Sequence, residues 1–529
     1  MSINYSLILS LSMRFFKKFL SASSLKALFA FGHAARLTRK LENDAALALI
    51  EDYVELFPKR IELFCGIALE ENPRNTRAYR LLAKALELQG RAHLLPELSI
   101  RARDAGLGFV YNNDPFHCAQ FFKELIDVFP QMSRPYFKLY NGISSEISKI
   151  RNESLRKQRT LKPVIISIVI WGARYKELFL KYFLPSMLAS GNIPELSKIR
   201  TVSFDVFASA EIAEEISSSH PIIKRLQNFC NFNVYSFDNE IVDNEQIKSD
   251  NVMRYMIYGG FHHVSIIRAK KNKADIICIA PDGIHSDGSF TNYVRFLDDG
   301  FKAVLFTSTR GQAEFITPIL DNVRELNDQI IKLSARQIVD LSVNYIHHEF
   351  LQYLMVNENN FFPDRLNRWF FVEEDGFISR NFQLHPIAIA SECLQQDITF
   401  SFTTVDDTLI SRIVGNDGGW EDLKVITDSN EGVMLDLTFA FDSVPECKTR
   451  ECTEEYLENQ VRMQSRFNLW QFSHKIRYQG THPVESFCVF ELKEDKSLIP
   501  IFIPLTSALN ISESKVSSWL EDGGFESQR

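Results

Sequence analysis

The chain has 529 residues, of which 45% are hydrophobic and 24% are charged, as in a globular protein. Its length predicts about two to four domains with sizeable cores. The formal net charge of −8 excludes a general electrostatic attraction to nucleic acid, so we expect no nucleic-acid partner.

The cysteine and hydropathy patterns predict a cytoplasmic protein. Eight cysteines are scattered along the chain, and the closest two, Cys447 and Cys452, have no matching ligands that would complete a zinc site. A reducing compartment fits this usage. No uncharged apolar run approaches the ~20 residues that a membrane span needs.

The segment from Phe15 to Phe31 has two interpretations. It places Lys17, Lys18 and Lys26 among phenylalanines and leucines at roughly helical spacing. Such a helix lies on a membrane surface, which would make the protein peripheral on the inner membrane. A helix of a soluble bundle has the same pattern.

Residues 1–155 are predicted to be helical, because short consecutive segments such as "NDAALALIEDYVELF" and "KRIELFCGIALEE" have apolar residues at positions i, i+3, i+4 and i+7. The stretch "NPRNTRAYRLLAKALELQGR" resembles a tetratricopeptide repeat, with Ala78, Leu82 and Ala85 as packing positions and Gly90 at its end. Both a repeat domain that binds a protein partner and an irregular helical bundle remain open.

The pattern changes near Pro163, where "VIISIVIWG" has the continuous β-branched character of a strand buried on both faces. Helical segments of 10 to 15 residues then alternate with strands such as "TVSFDVFAS", "NFNVYSFD", "ADIICIA" and "KAVLFTST". This order predicts an α/β domain with a mainly parallel sheet over residues 160–395. A C-terminal α+β extension is predicted over 396–510, with a flexible tail over 511–529.

An acidic turn follows one of these strands in "IICIAPDGIHSDGSF", where Asp282 comes directly after the apolar run and Asp287 lies five residues later. Ligands of open α/β sheets bind beyond the carboxyl ends of the strands, and Trp171 and Gly172 follow the first strand at the same edge. Asp282 is therefore a candidate ligand of a hard divalent cation. The alternative for both aspartates is a turn or helix-capping role.

The domain resembles the nucleotide-sugar-binding fold of GT-A glycosyltransferases. The likeness rests on "IWGARYKELFLKYFLPSMLASGNIP", "IAPDGIHSDGSF" and "GFISRNFQLHPIAI". The resemblance implies that an acidic DxD turn holds manganese or magnesium against the diphosphate of a nucleotide-sugar donor. Here the turn departs from that pattern, because no carboxylate lies two residues after Asp282. The residues assigned to donor binding are Trp171, Gly172, His263, Asp282 and Gly283.

The resemblance also implies a late histidine as a further metal ligand, and His385 in "NRWFFVEEDGFISRNFQLHPIAI" is the candidate. A structural histidine is the alternative. Candidates for the catalytic base are Asp287, Glu373, Glu374 and Asp375. Three further acidic residues, Asp406, Asp407 and Asp428, are interpreted as solvated turn positions, with acceptor recognition or a base as the alternative.

Two histidine doublets need separate interpretation. His262 and His263 lie on the helix before the acidic turn, about 100° apart around its axis, so at most one faces the cleft, and His263 is chosen. The doublet of His347 and His348 does not match the HExxH motif of zinc proteases. The sequence also contains no P-loop, no GxGxxG after the first strand and no GxSxG elbow.

These patterns together predict a glycosyltransferase that moves a sugar from a nucleotide-sugar donor to a glycan, lipid-linked or protein acceptor, in surface polysaccharide or glycoconjugate synthesis. The alternative is a non-catalytic scaffold in which a helical repeat accompanies a degenerate nucleotide-sugar-binding domain. The broken DxD pattern favours the scaffold, and the clustering of Asp282, His285 and Asp287 favours the enzyme.

Overall fold

The computed structural model describes residues 22–38, 43–112, 114–152, 161–217, 220–243, 251–347, 349, 353–355, 368–373, 376–395, 405, 407–414, 419–440, 453–483, 486–493, 497–504 and 512–522. The chain forms two compact units, one of Met1–Ser145 with Asp243–Ser249 and one of Glu146–Val242 with Asp250–Arg529. Among the described residues, no helix has both the length and the apolar character needed to cross a membrane.

The first unit is helical. Its helices are α1 (Ala22–Thr38), α2 (Asn43–Ile50), α3 (Pro58–Glu71), α4 (Thr76–Leu88), α5 (Leu95–Tyr111), α6 (Pro115–Glu124) and the start of α7 (Pro130–Asn152). Within the repeat-like stretch, Asn75 caps α4 by accepting a hydrogen bond from the backbone of Ala78, and Ala78 and Ala85 are fully buried. The buried alanines agree with the predicted packing positions, and they do not by themselves define a tetratricopeptide array.

Helix α1 packs in the core of this unit. The ring of Phe31 lies 5.7 Å from that of Phe57 and 5.9 Å from that of Phe64. The described part of the N-terminal segment therefore has the packing of a bundle helix. Residues 1–21, which include Lys17 and Lys18, lie outside the described residues, so contact with a membrane stays a prediction.

The strands of the second unit are β1 (Pro163–Ile170), β2 (Thr201–Ser209), β3 (Asn231–Phe237), β4 (Asp275–Ile279), β5 (Gly283–His285), β6 (Ala303–Phe306), β7 (Thr309–Gln312), β8 (Arg368–Glu373), β9 (Gly376–Asn381), β10 (His385–Ile389), β11 (Leu423–Val425), β12 (Met434–Thr438), β13 (Ile476–Gln479), β14 (Ser486–Leu492) and β15 (Leu498–Pro504).

Its helices are α8 (Ala173–Leu178), α9 (Leu184–Met187), α10 (Ile193–Ile199), α11 (Ala210–Ser217), α12 (Pro221–Leu226), α13 (Glu240–Asp243), α14 (Asn251–Asn272), α15 (Ser289–Asp298), α16 (Ala313–Leu326), α17 (Ala335–Asn344), α18 (Asp407–Val414), α19 (Glu454–Arg462), α20 (Arg466–Ser473) and α21 (Glu513–Asp522).

The main sheet has the order β11–β6–β10–β4–β1–β2–β3. Strand β1 is parallel to both β2 and β4, and β2 is parallel to β3. Strand β10 is antiparallel to both of its neighbours, β4 and β6. The predicted α/β class with a large, mainly parallel sheet is confirmed, because these β-branched runs are buried between packed helices such as α14 against β1 and β4.

The chain after residue 396 completes both the main sheet and a second one. Strand β11 pairs with β6 in the main sheet, and β12 lies between β5 and β7 in a three-stranded sheet. The predicted division at 396 therefore does not separate two folding units, because strand pairing joins the two parts.

The C-terminal helix α21 is anchored to the same unit. Arg380, which is fully buried, pairs with Glu513 and donates to the carbonyl groups of Phe472 and Ser473 at 2.8 and 2.9 Å. Trp519 and Leu520 pack into a cluster around Trp369. The predicted flexible tail is thus a docked helix as far as Asp522, because its apolar residues at helical spacing find a buried partner surface.

Candidate functional site

The candidate site lies at the edge of the main sheet where β1, β4 and β6 end. Ile168 of β1 is paired with Ile279 of β4, and Trp171 and Asp282 each follow by three residues. Since β10 runs antiparallel, its first residue, His385, lies at this same edge, opposite Phe306 at the end of β6. The structure thus brings the predicted residues Trp171, Asp282 and His385 to one edge.

An aromatic pair forms one side of this edge. The rings of Trp171 and Tyr258 lie 4.5 Å apart, and His262 stacks on Tyr258 with 6.4 Å between the ring centroids. The His262 Nδ1 atom is 2.9 Å from the hydroxyl of Ser167 on β1, which fixes the orientation of its ring. Burial raises the pKa of Tyr258 well above its usual range, and nearby Asp282 raises it further.

The second sheet brings a carboxyl group and a guanidinium group together. Asp436 of β12 is paired with Gly283 of β5 on one side and with Arg310 of β7 on the other. Ser308 donates a hydrogen bond to Asp436 Oδ2, while Oδ1 is buried and has no partner among the described atoms. Burial raises the pKa of the Asp436 carboxyl, although Arg310, Ser308 and Arg368 act in the opposite direction.

Arg310 points into a region that solvent reaches. Its side chain is 41% exposed, and its Nη1 atom pairs with Glu349. Burial alone would lower the pKa of this guanidinium, but the carboxyl groups of Glu349 and Asp436 outweigh it, so the pKa is raised. Arg310 is therefore held in its charged state by its neighbours.

Arg368 begins β8 and lies beside His385. One of its terminal nitrogens, Nη2, is 3.4 Å from His385 Nε2, which accepts the hydrogen bond because a guanidinium only donates. Burial, together with the positive charges of Arg368 and Arg310, lowers the pKa of His385 to about 4. His385 is consequently neutral at physiological pH.

The described surroundings of His385 do not fit the predicted cation site. Its Nε2 atom faces a guanidinium, and a second guanidinium, that of Arg310, acts on the same ring. Among the described residues, no three histidine, cysteine, aspartate or glutamate side chains form a group that would hold a metal ion. The pairing of Asp282 with His385 around manganese or magnesium stays a prediction.

Three of the four predicted bases lie elsewhere or outside the described residues. Glu373 is at the opposite end of β8 from Arg368, about 17 Å away at ~3.3 Å per residue, and it pairs with Arg477 at 3.3 Å. Glu374, Asp375 and Asp406 lie outside the described residues. Asp407 begins α18, and Asp428 accepts a hydrogen bond from the backbone of Asn430 in the turn role predicted for it.

Asp287 ties two loops together. Its Oδ1 atom accepts a 2.6 Å hydrogen bond from the backbone of Gly191, and its Oδ2 atom is 3.5 Å from the Lys332 ammonium. The cap of α15 is Gly288, whose φ of 93° a glycine adopts readily. Asp287 therefore does not cap α15, and its carboxylate already contacts Gly191 and Lys332. Its catalytic role stays a prediction.

The remaining predicted donor-binding residues have varied surroundings. Gly172 is exposed, with a φ of 80°, and open space surrounds the position of a side chain there. Gly283 packs against Met434, whose sulfur would lie 2.6 Å from an added Cβ atom. Within the doublet on α14, the residue beside the aromatic pair is His262, and burial lowers the pKa of His263 to about 3.

Two histidines that the sequence singled out are fully buried. The ring nitrogens of His285 have no partner among the described atoms, and the ring of Phe290 lies 4.9 Å away. His347 accepts a hydrogen bond from the backbone of Glu349 at Nδ1, and its Nε2 atom lies 3.4 Å from the carbonyl of Phe439. His348 lies outside the described residues.

The sequence analysis did not identify Arg310, Arg368 or Asp436. Arg310 follows a strand end in "LFTSTRG", so the rule that identified Asp282 also points to it. Asp436 is a charged residue inside the apolar run "VMLDLTF", which is a usable signal. Arg368 has no comparable signal, because its position beside His385 depends on tertiary packing.

No protein-family model and no curated protein matches this chain. Among solved structures, it is similar to a variant of the Thermobaculum terrenum O-GlcNAc transferase, with 12% identity and a TM-score of 0.13. The alignment covers 50% of this chain and 51% of the other, so the chain matches about half the length of that structure. An alignment with this TM-score does not define a shared fold.

Proposed function

We propose that the protein is a glycosyltransferase that uses a nucleotide-sugar donor. The observation that supports this most is that Trp171 and an acidic turn follow strand ends at one sheet edge. Tyr258 lies beside Trp171, and a buried carboxyl group on which two arginines act, that of Asp436, is paired with the strand after the turn. An open α/β sheet binds its ligands at such an edge. Aromatic rings, carboxylates and guanidinium groups are the partners of a base, sugar hydroxyls and phosphates respectively.

The proposal assigns the nucleobase to Trp171 and Tyr258. Both rings are half-buried, so each keeps surface on which a planar base can stack. Stacking of a base on an aromatic ring contributes about 1–3 kcal/mol in other proteins. Asp282 lies close enough to Tyr258 to affect its pKa, and it is placed to accept hydrogen bonds from hydroxyl groups of the bound donor.

Asp436 is the proposed general base. Its raised pKa gives it a greater affinity for a proton than an exposed aspartate has, and its Oδ1 atom has no other described partner. In the proposed step, the acceptor oxygen attacks the anomeric carbon while its proton moves to Asp436. The bond from the anomeric carbon to the diphosphate breaks, and the nucleoside diphosphate leaves with the electron pair.

The finer assignment to the GT-A class is supported by the order of the strands. Three successive parallel strands, β1, β2 and β3, are followed by β4 on the other side of β1, and the acidic turn comes directly after β4. The resemblance implies an acidic turn after such a strand. The proposed acceptor is a glycan, lipid-linked or protein molecule at the cytoplasmic side of the membrane, and the helical unit is the proposed site for a protein partner.

A donor screen tests the proposal. Thermal unfolding of the full chain is measured with UDP-, GDP-, CMP- and dTDP-sugars, each with and without manganese. We expect one nucleotide class to raise the melting temperature and to release free nucleoside diphosphate slowly by donor hydrolysis. If no donor raises the melting temperature, the enzyme proposal fails, and a non-catalytic scaffold is the better description.

A further inference from the structure

We propose that Arg368 and Arg310 bind the diphosphate of the donor directly, without a metal ion between protein and phosphate. This inference rests on the proposed function and names the groups that recognise the most highly charged part of its substrate. It differs from the predicted metal site of Asp282 and His385, because the described surroundings of His385 do not fit a cation.

Arg368 is a guanidinium without a counter-charge. Among the described residues, the hydrogen bond of its side chain is to the neutral ring of His385, and no carboxylate of these residues lies within 4 Å of it. The side-chain nitrogens of Arg368 are not among the fully buried polar atoms that lack a hydrogen-bond partner. The donors that do not bind His385 therefore reach solvent. A partly buried cation with incomplete hydrogen bonding reduces the stability of the fold unless an anion binds to it.

A second arginine in the same unit shows the contrast. Arg380 is fully buried, and it is satisfied by Glu513, two backbone carbonyls and the hydroxyl of Ser517. That is the environment of an arginine whose role is structural. Among the described residues, Arg368 has no carboxylate, carbonyl or hydroxyl partner, which leaves its fork of donors for a ligand.

Arg310 supplies the second positive charge. Its guanidinium and that of Arg368 both act on the His385 ring and on each other, so the two charges lie within electrostatic reach of each other. Glu349 engages only the Nη1 atom of Arg310, and 41% of the side chain stays exposed. The backbone is held as well, since the amide of His347 donates to the Arg310 carbonyl at 3.2 Å.

The chemistry of the pair fits a diphosphate. Two like charges within electrostatic reach repel each other, and an anion bound between them offsets the repulsion and satisfies the unused donors. A planar guanidinium binds two oxygens of one phosphate at once, and a second guanidinium engages the next phosphate. Asp436, whose carboxyl group acts on Arg368, has a raised pKa and so competes weakly for these donors.

Calorimetric titration with inorganic pyrophosphate in EDTA tests the inference on the full chain. We expect the wild-type protein to bind it, Arg368→Gln to bind about tenfold more weakly, and Arg368→Lys to fall between them because it keeps the charge and loses the fork. The surface variant Arg477→Gln is the matched control, and its affinity should equal that of the wild type.

Thermal unfolding of the same variants separates this role from a structural one. Removal of an uncompensated charge should leave the melting temperature of Arg368→Gln unchanged or raise it, whereas loss of a structural arginine lowers it. Binding that requires manganese, or equal binding by Arg368→Gln, overturns the inference and leaves the proposed function standing. Arginine-dependent binding of pyrophosphate without any nucleotide-sugar effect supports the anion site and overturns the glycosyltransferase proposal.

Discussion

Asp436 lies directly opposite Gly283 in the antiparallel pair of β5 and β12. Gly283 immediately follows Asp282, so the strand that continues from the acidic turn faces a second acidic residue from about 150 residues later in the chain. The turn itself lacks the second carboxylate of a DxD pattern. In this fold, the second acidic group near the turn belongs to a different strand.

Replacement of Asp436 by asparagine should separate catalysis from stability. We expect Asp436→Asn to lower kcat by about 100-fold, because the general base is lost, while donor binding stays within about twofold. The pKa of Asp436 is raised in the folded state, so its ionisation opposes folding above its ordinary pKa. The melting temperature of the variant at pH 7 should therefore be equal to or above that of the wild type.

The pH dependence provides a second check on Asp436. A general base must be deprotonated, so kcat should rise with pH and level off above a pKa that is higher than that of an ordinary aspartate. A wild-type profile that stays flat down to the ordinary pKa of an aspartate, or full activity in Asp436→Asn, would exclude this residue as the base.

Asp282→Asn should change donor binding, whereas Asp287→Asn should change stability. Asp282→Asn keeps the fold and weakens donor binding by about tenfold, since a charged acceptor for the donor hydroxyls becomes a neutral one. Asp287→Asn weakens the contacts with Gly191 and Lys332 and should reduce the free energy of unfolding by about 1 kcal/mol, with donor binding unchanged.

Denaturant unfolding and donor titration on both proteins measure these effects. If Asp287→Asn loses donor binding and Asp282→Asn does not, the site has been placed at the wrong end of β5.

Acid sensitivity should decrease when His285 is replaced by phenylalanine. Burial lowers the pKa of His285 from 6.5 to about 3, so its neutral state stabilises the fold fully above pH 6.5, and that contribution falls as the pH decreases towards 3. The ring of His285 is surrounded by aromatic side chains that accept phenylalanine. Other buried histidines share the direction of the shift, so one substitution removes only part of the effect.

The measurement is the melting temperature at pH 7 and pH 5 for the wild type, His285→Phe and the exposed control His482→Phe. The decrease on acidification should be smaller in His285→Phe and unchanged in His482→Phe. An identical decrease in all three proteins would show that His285 is not a source of acid sensitivity.

The N-terminal segment yields a prediction about membranes and packing. A chain without its first 21 residues should keep its fold and sediment less with anionic vesicles, because Lys17 and Lys18 are removed. Phe31→Ala should reduce the free energy of unfolding of the helical unit by about 3 kcal/mol, since its ring is buried among other aromatic rings. Equal sedimentation of the full and shortened chains would leave only the bundle role.

Much of the sheet could be predicted because the information is local. The β-branched run that forms β1 and the apolar run that forms β4 mark buried strands on their own, and Asp282 is marked by its position after a strand end. These features follow from residue type and periodicity within about ten positions of the chain.

The part that could not be predicted depends on distant segments. His385 was assigned from a resemblance, but its hydrogen bond to Arg368 follows from the packing of β8 beside β10, which no local pattern encodes. The pairing of Asp436 with Arg310 likewise requires the register of β12 against β7. The docked helix α21 has a polar sequence, which by itself indicates disorder. Its position depends on the ion pair between Glu513 and the buried Arg380, which the local sequence does not reveal.

The position of β10 has a consequence for synthesis on the ribosome. Strands β4 and β6 are separated in the sheet by a strand that begins at His385, about a hundred residues after β4 ends, so neither gains this neighbour until that segment has emerged. Pairings of such long sequence separation form slowly, and unpaired strand edges are prone to aggregation. A nascent chain that stalls before His385 leaves one edge of β4 and both edges of β6 unpaired, so the rate of translation through residues 303–389 should influence how much of the protein stays soluble in the cell.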